Sequence, residues 1–549
     1  MVEKTKAHEL AEQQREISVS EFFAKNRHLL GFDNPRKALL MAVKEAVDNS
    51  IDATLDAKFL PDIYVELQQL KEDRFKVIVE DNGPGILKEQ IPKVFGKLLY
   101  GSKFHRMRQS MGQQGIGISA VLLYGQLTTG KGMHITSKIG PKHPAHFYEI
   151  HIDTQKNEPI VRQDKIIEWN KDHGTRIEIE LQGAYQKGKQ SVDEYLREIA
   201  LINPYTQITY KTPEKETITY LRAVSELPKE AKEVKPHPYG VELGVLIRMM
   251  QATTSGTVSG FLQHDFCRIS QVLAQDICKK AAINPRARPT TVARDEAEAL
   301  YNVIQNTKII APPTDCLSPL GEEGLLKGLK KEIDAEFYTA VTRTPSVYRG
   351  IPFLIEVAAA YGGSLEKEEP VRIIRFANRV PLLYQQGACA TTESIIDTSW
   401  KNYNLSQSKE SIPIGPVVLV IHVVSVWVPF TSEAKEAIAH YPEIIKDMKL
   451  ALQEAGRKIS AYIRKTVKAR EQQERVDLFE KYIPELAHSL SNLTGDKKAT
   501  IEEHLQKVLK KGLKDLLAEV KAAENTKIKG ENIAFGEKQQ TLSEVEDER

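Results

Sequence analysis

Three observations predict an α/β (α+β) protein built from several domains. A helical pattern opening at Asn34 leads into strands of alternating apolar residues. Residues 235–312 carry mostly helical patterning, punctuated by Pro285, Pro289, Pro312 and Pro313. Strand-like apolar runs then return near 350–358, 371–378 and 416–428, ahead of a long helix-forming segment.

Residues 1–30 are polar apart from Phe22 and Phe23, which suits an arm that packs on something else. Asn34 is a good N-cap and Pro35 a good first helical residue. Leu39, Val43, Ala46 and Val47 then share one helix face. Two strands follow, with Ile63, Val65 and Leu67 alternating in the first and Phe75, Val77 and Val79 in the second. After a glycine-rich stretch at 112–132, further strands are expected near 133–152 and 174–181. These elements set a first domain at 31–234, a helical domain at 235–312 and a second α/β domain at 313–470. From Ser432 to about Tyr482 nearly every residue is a helix former, and the expected break is at Gly456. A helical C-terminal region at 471–525 and a disordered polar tail at 526–549 complete the reading.

Composition narrows the function classes. With 549 residues, about three or four domains are expected. The 76 basic and 74 acidic residues leave a net charge of +2, so the chain is no polycation, and DNA contact would need local basic surface or a partner. Cys267, Cys278, Cys316 and Cys389 form no C-x-x-C pair and have no histidine cluster beside them. Inert thiols in a reducing compartment are expected rather than a zinc site. The apolar run Pro416–Pro429 is too short to span a bilayer and holds His422 and Ser425, so no membrane association is expected. The charged N-terminus lacks an apolar signal stretch, and a cytoplasmic protein follows as the expectation.

Four short motifs carry chemistry. Glu45 and Asn49 lie four apart on the first helix, with Asp48 and Asp52 as a second such pair. Carboxylates around an amide suit a hard cation such as Mg²⁺, which takes oxygen ligands and keeps several waters, and Glu45 could act as a general base. A solvated acidic face accounts for the same segment equally well. Asp81 ends the second strand with the parity of Phe75, Val77 and Val79, so it points to the buried side, where an exocyclic purine amine is one possible partner. Gly83 and Gly85 follow it and leave room for a flat ring, although a plain turn reads the same way. Met111-Gly112-Gln113-Gln114-Gly115-Ile116-Gly117-Ile118 precedes a helical run and offers free N–H groups as a phosphate seat. Ser102, Lys103, Arg106 and Arg108 lie upstream and could close over phosphates as a lid. Asp172-His173-Gly174-Thr175 opens a strand, where Thr175 could hydrogen-bond a base.

Two other glycine patterns are decoys. Gly115-x-Gly117-x-x-Ala120 has no preceding strand and no acid about 20 residues on. Gly125-x4-Gly130-Lys131 has Gly132 where a P-loop needs Ser or Thr.

The order E-x-x-x-N, D-x-G-x-G, glycine-rich lid, G-T resembles the GHKL ATPase family with its Bergerat-fold ATP-binding sandwich. The resemblance implies Glu45 as general base, Asn49 as Mg²⁺ ligand, Asp81 on the adenine and the 111–118 loop on the phosphates of ATP. Among GHKL proteins, sensor kinases carry a phospho-accepting histidine in a dimer helix, a context His8 and His28 lack. Arg375-Phe376-Ala377-Asn378-Arg379-Val380-Pro381-Leu382-Leu383-Tyr384, together with Trp400-x-x-Tyr403-x-Leu405, is similar to the B-subunit family of DNA topoisomerase VI. That likeness runs from about residue 10 to 470. It implies a helix-two-turns-helix domain at 235–312 and a transducer at 313–470. It also implies a lysine reaching the terminal phosphate, for which Lys435 matches and Lys409 is the runner-up. The implied activity is ATP-driven self-dimerisation that closes a gate on double-stranded DNA. Cleavage would fall to a separate A subunit in an A2B2 assembly, and this sequence contains no Asp-x-Asp pair. A mismatch-repair-like or chaperone-like GHKL ATPase and a nucleotide-sensing scaffold are the alternatives. Arg286, Arg288 and Arg294 in the helical insert are a modest basic set that suits either DNA or protein contact.

Overall fold

The structure, a computed structural model, describes residues 6–14, 16–101, 106–112, 115–432 and 434–509. The tail at 526–549 and residues 510–525 lie outside the described residues. The chain divides into two compact units, Met1–Ile459 and Ser460–Arg549.

The first unit opens with α1 (Lys6–Gln13) and α2 (Val19–Lys25). Ser18 caps α2 by accepting from the Glu21 amide at 3.1 Å, and Val19, Phe23 and Ala24 pack on the adjacent core. Next comes α3 (Pro35–Asp56), capped as its sequence predicts: the Asn34 side chain accepts from the Lys37 amide at 2.9 Å, with Pro35 in the first turn. Leu39, Val43, Ala46 and Val47 are all buried.

An eight-stranded sheet lies under this helix. Its strands are β1 (Asp62–Lys71), β2 (Arg74–Asp81), β3 (Met133–Lys138), β4 (Ala145–Asp153), β5 (Glu158–Ile167), β6 (Gly174–Gln182), β7 (Gln207–Lys211) and β8 (Thr217–Tyr220), with α4 (Ile91–Gly96), α5 (Gly117–Thr129) and α6 (Val192–Ile202) between them. The spatial order is β5-β4-β3-β6-β2-β1-β7-β8, antiparallel except for β1 beside β7. Alternation puts Val65, Leu67, Phe75, Val77, Val79, Ile177 and Ile179 into one core with α3, α5 and α6. The opposite face carries ion pairs such as Arg176–Glu80 at 3.0 Å and Lys211–Glu66 at 2.9 Å. This is a two-layer sandwich with helices on one side. Strands β5, β7 and β8 and helix α6 go beyond the sequence reading. β5 is a polar, largely exposed edge with little alternation to read. α6 does carry a readable start, because Ser191 accepts from the Glu194 amide at 3.1 Å and Glu194 accepts in return from the Gln190 amide.

Residues 235–312 are helical, as the sequence predicts: α7 (Leu243–Ala252), α8 (Val258–Asp265), α9 (Gln271–Lys280) and α10 (Arg294–Asn306) close on their own core of Leu246, Phe261, Ile277 and Leu300. Arg286, Arg288 and Arg294 are not part of that core.

A second sheet follows α11 (Gly321–Glu332). It contains β9 (Phe337–Thr342), β10 (Ser346–Tyr348), β11 (Ile351–Tyr361), β12 (Arg372–Ala377), β13 (Val380–Pro381) and, beyond α12 (Ala390–Ile396), β14 (Val417–Ser425). Its order is β10-β11-β14-β12-β13, with β9 also on β11. Strand β14 is central and buried at every position, which explains its continuous apolar run.

Helix α13 (Pro442–Thr494) corrects two expectations. It starts at Pro442 rather than Ser432, because the described residues ahead of it fold back: the Thr431 amide donates to Ala437 O at 2.9 Å and the Ala439 amide to Pro429 O at 2.8 Å. Nor does it break at Gly456. A Cβ there would lie 2.6 Å from Cδ2 of Tyr403, so this glycine admits a close approach. No helix among the described residues is long and apolar enough to cross a membrane.

Candidate functional site

A cavity of about 300 Å³ opens between α3, the end of β2, the start of α5 and the loop after β14. The end beside β2 and β6 carries the apolar Val79, Ile86 and Ile177, and the end beside the start of α5 carries Glu45 and Lys435, with Asn49 one turn along α3 from Glu45. This division suits a ligand with a flat ring at one end and charge at the other.

Asp81 sits at the apolar end. Its Oδ1 accepts from the amides of Gly83 at 2.8 Å and Thr175 at 3.1 Å, and its Oδ2 accepts from Ser50 Oγ at 2.9 Å. Burial pushes the carboxyl up to about 6, against these three donors. The turn after it is held at several points. Ile86 N donates to Ser137 Oγ at 2.9 Å, and Ser137 Oγ lies 3.1 Å from Thr175 Oγ1. His173 Nδ1 lies 2.8 Å from Gly83 O, with its ring stacked on Phe59. Gly85 has φ +72°, and a Cβ there would stand 2.2 Å from Lys138 O, so no other residue fits this turn.

At the polar end, α5 begins at Gly117 with no side-chain cap, leaving first-turn N–H groups beside the cavity. A Cβ on Gly117 would fall 1.8 Å from Oε2 of Glu45, so the carboxylate abuts the helix start. The Asn49 amide faces the cavity and has no partner among the described residues. Its free oxygen is the donor type a Mg²⁺ ion takes, and Glu45 lies one turn away on the same face.

Lys435 enters this end from the second sheet. It lies in the 431–439 loop, not at a helix start, with φ +53°. Its Nζ is buried and donates to Met111 O at 3.1 Å. Burial lowers its pKa, while Glu45, Asp48 and Asp52 oppose that shift. Lys409 is exposed beside Glu410 and does not line the cavity.

The second acidic pair of α3 is occupied elsewhere. Asp48 is buried, takes Lys44 Nζ at 2.9 Å and accepts from Tyr195 Oη at 2.7 Å. Asp52 accepts from the amides of Met111 at 3.2 Å and Gly112 at 2.9 Å and so holds the root of the glycine-rich loop. Gly112, Gly115, Ile116, Gly117 and Ile118 reach the cavity wall, whereas Ser102, Lys103, Gln113 and Gln114 lie outside the described residues. Arg108 pairs with Asp56 at 2.7 Å, away from the cavity lining. Of the decoys, Gly125 stands inside α5, where no P-loop can form.

The Arg375–Tyr384 stretch is a hairpin between β12 and β13, turning at Asn378 and Arg379 with φ of 49° and 66°. Asn378 Nδ2 donates to Ser110 O at 3.3 Å and Arg379 Nη1 to Tyr205 Oη at 3.2 Å, so the hairpin ties the second sheet to the loop ahead of Met111. Behind it, Glu356 accepts from the amides of Leu320 at 3.1 Å and Gly321 at 2.7 Å, from Thr342 Oγ1 at 3.1 Å and from His422 Nδ1 at 2.8 Å. His422 Nε2 accepts from the Arg379 amide at 2.9 Å, which fixes a neutral ring with its proton on Nδ1. The sequence reading did not anticipate Ser50, Ser137, His173 as a turn anchor, or Tyr195, since each acts through a partner remote in the chain.

Two stretches of the chain match known protein families. Residues 38–175 match the family described as histidine kinase-, DNA gyrase B- and HSP90-like ATPase, and residues 312–475 match the topoisomerase VI B subunit transducer. The B subunit of type 2 DNA topoisomerase 6 from Methanococcoides burtonii is 49% identical over 487 residues, which cover 88% of this chain and 78% of that protein. Its counterpart in Archaeoglobus fulgidus is 49% identical over 450 residues, covering 82% and 74%. The Natronomonas pharaonis protein is 34% identical over 689 residues, covering 92% and 86%.

Proposed function

The chain belongs to the family of type 2 DNA topoisomerase 6 B subunits, and from that premise we propose how its cavity drives a DNA gate. The family gives it a GHKL-type ATP-binding domain and a transducer in an ATP-dependent topoisomerase subunit. In our reading the adenine lies in the apolar end and donates its exocyclic amine to Asp81, with Thr175 and Gly85 beside it. The phosphates lie against the N-terminus of α5 and the glycine-rich loop ahead of it. Asn49 would hold Mg²⁺, which neutralises phosphate charge when bound. Glu45 takes the proton of the attacking water, and Lys435 faces the charge that grows on the terminal phosphate.

One observation carries this reading: a buried lysine of the transducer stands inside the nucleotide cavity with only a neutral carbonyl as its hydrogen-bond acceptor among the described residues. The terminal phosphate would supply a charged partner, so the transducer senses whether it is present. Two copies would dimerise on ATP, close around double-stranded DNA and reopen after hydrolysis. A separate A subunit, in an A2B2 assembly in the cytoplasm, would cut the DNA.

The test mixes the chain with an A subunit of proven activity, ATP and supercoiled plasmid. ATP-dependent relaxation is expected. Its absence would reject the topoisomerase mechanism and leave a mismatch-repair-like or chaperone-like ATPase. Absence of ATP turnover as well would leave a nucleotide-sensing scaffold.

A further inference from the structure

The loop that brings Lys435 into the cavity has a second anchor outside it. Glu436, the next residue, is buried but does not line the cavity. Its carboxylate meets Nζ of Lys37, in the first turn of α3, and accepts from Nε2 of Gln385 in the segment after β13. Lys37 also pairs with Asp33 at 2.9 Å and stands 5.1 Å from the centre of the Tyr384 ring. Burial works against the charge on Lys37, yet Glu436 and Asp33 raise its pKa above the usual lysine value.

Three features separate this contact from an ordinary surface ion pair. Lys37 and Glu436 are both more than nine-tenths buried, so losing Lys37 leaves Glu436 as an interior charge with no cation, whereas losing Glu436 leaves Lys37 with Asp33 alone. Gln385 and Lys435 both hold left-handed φ, at 51° and 53°, which a non-glycine residue keeps only when its surroundings impose it. The other lysine of α3, Lys44, spends its charge on Asp48 and Glu45 of its own helix, whereas Lys37 reaches across to the transducer.

We propose that Lys37 is a positioning residue for hydrolysis: the Lys37–Glu436–Gln385 latch seats the 431–439 loop so that Lys435 reaches the nucleotide cavity. Lys37 does not touch the nucleotide and acts through Lys435. The inference rests on the proposed role of Lys435 for its kinetic consequence, but not for the seating of the loop.

The test uses the full chain with the active A subunit, and compares Lys37→Met, Lys37→Arg and Glu436→Gln, each alone and combined with Lys435→Ala. Glu436→Gln keeps the shape and serves if Lys37→Met does not fold. Nucleotide affinity, ATP turnover and hydrogen exchange at residues 431–439 are measured. Lys37→Met should change affinity by less than about threefold, lower kcat by about tenfold or more, and speed exchange in the loop. Lys37→Arg should recover most of the turnover. In a Lys435→Ala background, Lys37→Met should cost less than about twofold further, because the two residues act as one unit. Loop protection unchanged in both Lys37→Met and Glu436→Gln overturns the latch. Faster exchange combined with fully multiplicative kinetic losses overturns action through Lys435. If Lys435→Ala alone turns over normally, the sensor role fails, and exchange at 431–439 still decides whether Lys37 seats the loop.

Discussion

The nucleotide cavity and the Glu356–His422 pair of the transducer both hold acids and bases away from bulk water, but they differ in what remains unspent. Glu356 takes four donors, and His422 uses both ring nitrogens. At the polar end of the cavity, Asn49 has no partner among the described residues, and Lys435 has a carbonyl where a cation favours an anion. A buried cation with no anion beside it is costly, so Lys435 is kept where a ligand completes it. Saturation therefore marks architecture, and spare valence marks the place where chemistry is done.

The largest expected effect separates the two regions by activity. Glu45→Ala should retain ATP binding, lower hydrolysis by about 10²–10⁴-fold and trap nucleotide-bound dimers. Full turnover in a single-turnover assay would remove Glu45 as the base. The reciprocal change is Glu356→Ala, which leaves His422 and two helix-start amides without their acceptor. It should lower stability by about 3–5 kcal/mol in denaturant titration, because each buried donor left without an acceptor costs about 1–3 kcal/mol. A loss below about 1 kcal/mol would show that the saturated pair does not hold the transducer together.

A control lies outside both regions. Gly456→Ala places a methyl 2.6 Å from Tyr403, so overpacking of about 1–3 kcal/mol should exceed the helix-propensity gain of about 1 kcal/mol. Thermal unfolding should shift down while ATP affinity stays put. The smallest effect is a pH dependence at Asp81, whose carboxyl titrates at about 6. As pH falls below that value, the acceptor for the adenine amine is lost, and affinity should fall about tenfold per unit. Stability moves the other way. Because the folded pKa is raised above the ordinary aspartate value of 3.8, the folded state binds the proton more tightly. The contribution of Asp81 to stability therefore rises as pH falls from about 6 towards 3.8. Comparison with Asp81→Asn isolates both trends, and an affinity independent of pH across this window would place the adenine elsewhere.

Much of this was legible because it is local. The cap at Asn34, the parity of Asp81 and the glycine run before α5 are set by spacings of two to four residues, and the helix-only stretch at 235–312 by periodicity. The motif order pointed to Glu45, Asn49, Asp81 and Thr175, the family resemblance pointed to Lys435, and all five line one cavity. What sequence could not show was which acids are already spoken for. Asp48 and Asp52 look as available as Glu45 until Tyr195 and the 111–112 amides are seen against them; Glu45 lies 3.5 Å from Lys44 but still lines the cavity. Gly456 reads as a break because its neighbour Tyr403 is remote in the chain, and the Lys37–Glu436 pair leaves no sequence signal for the same reason.

Helix α3 carries Lys37, Glu45 and Asp52, which meet the transducer loop, the nucleotide cavity and the root of the glycine-rich loop in turn. At about 1.5 Å per residue these stations stand roughly 12 Å and 10 Å apart on one rigid rod. Its interior has neither glycine nor proline to absorb a change in length. Inserting or deleting one residue between two stations would turn everything beyond it by about 100°, swinging at least one contact out of reach. The length of this helix is thus under far tighter constraint than its exposed side chains. Within the ATP-binding domain, insertions and deletions should be tolerated in turns such as 212–216 and excluded from 37–52.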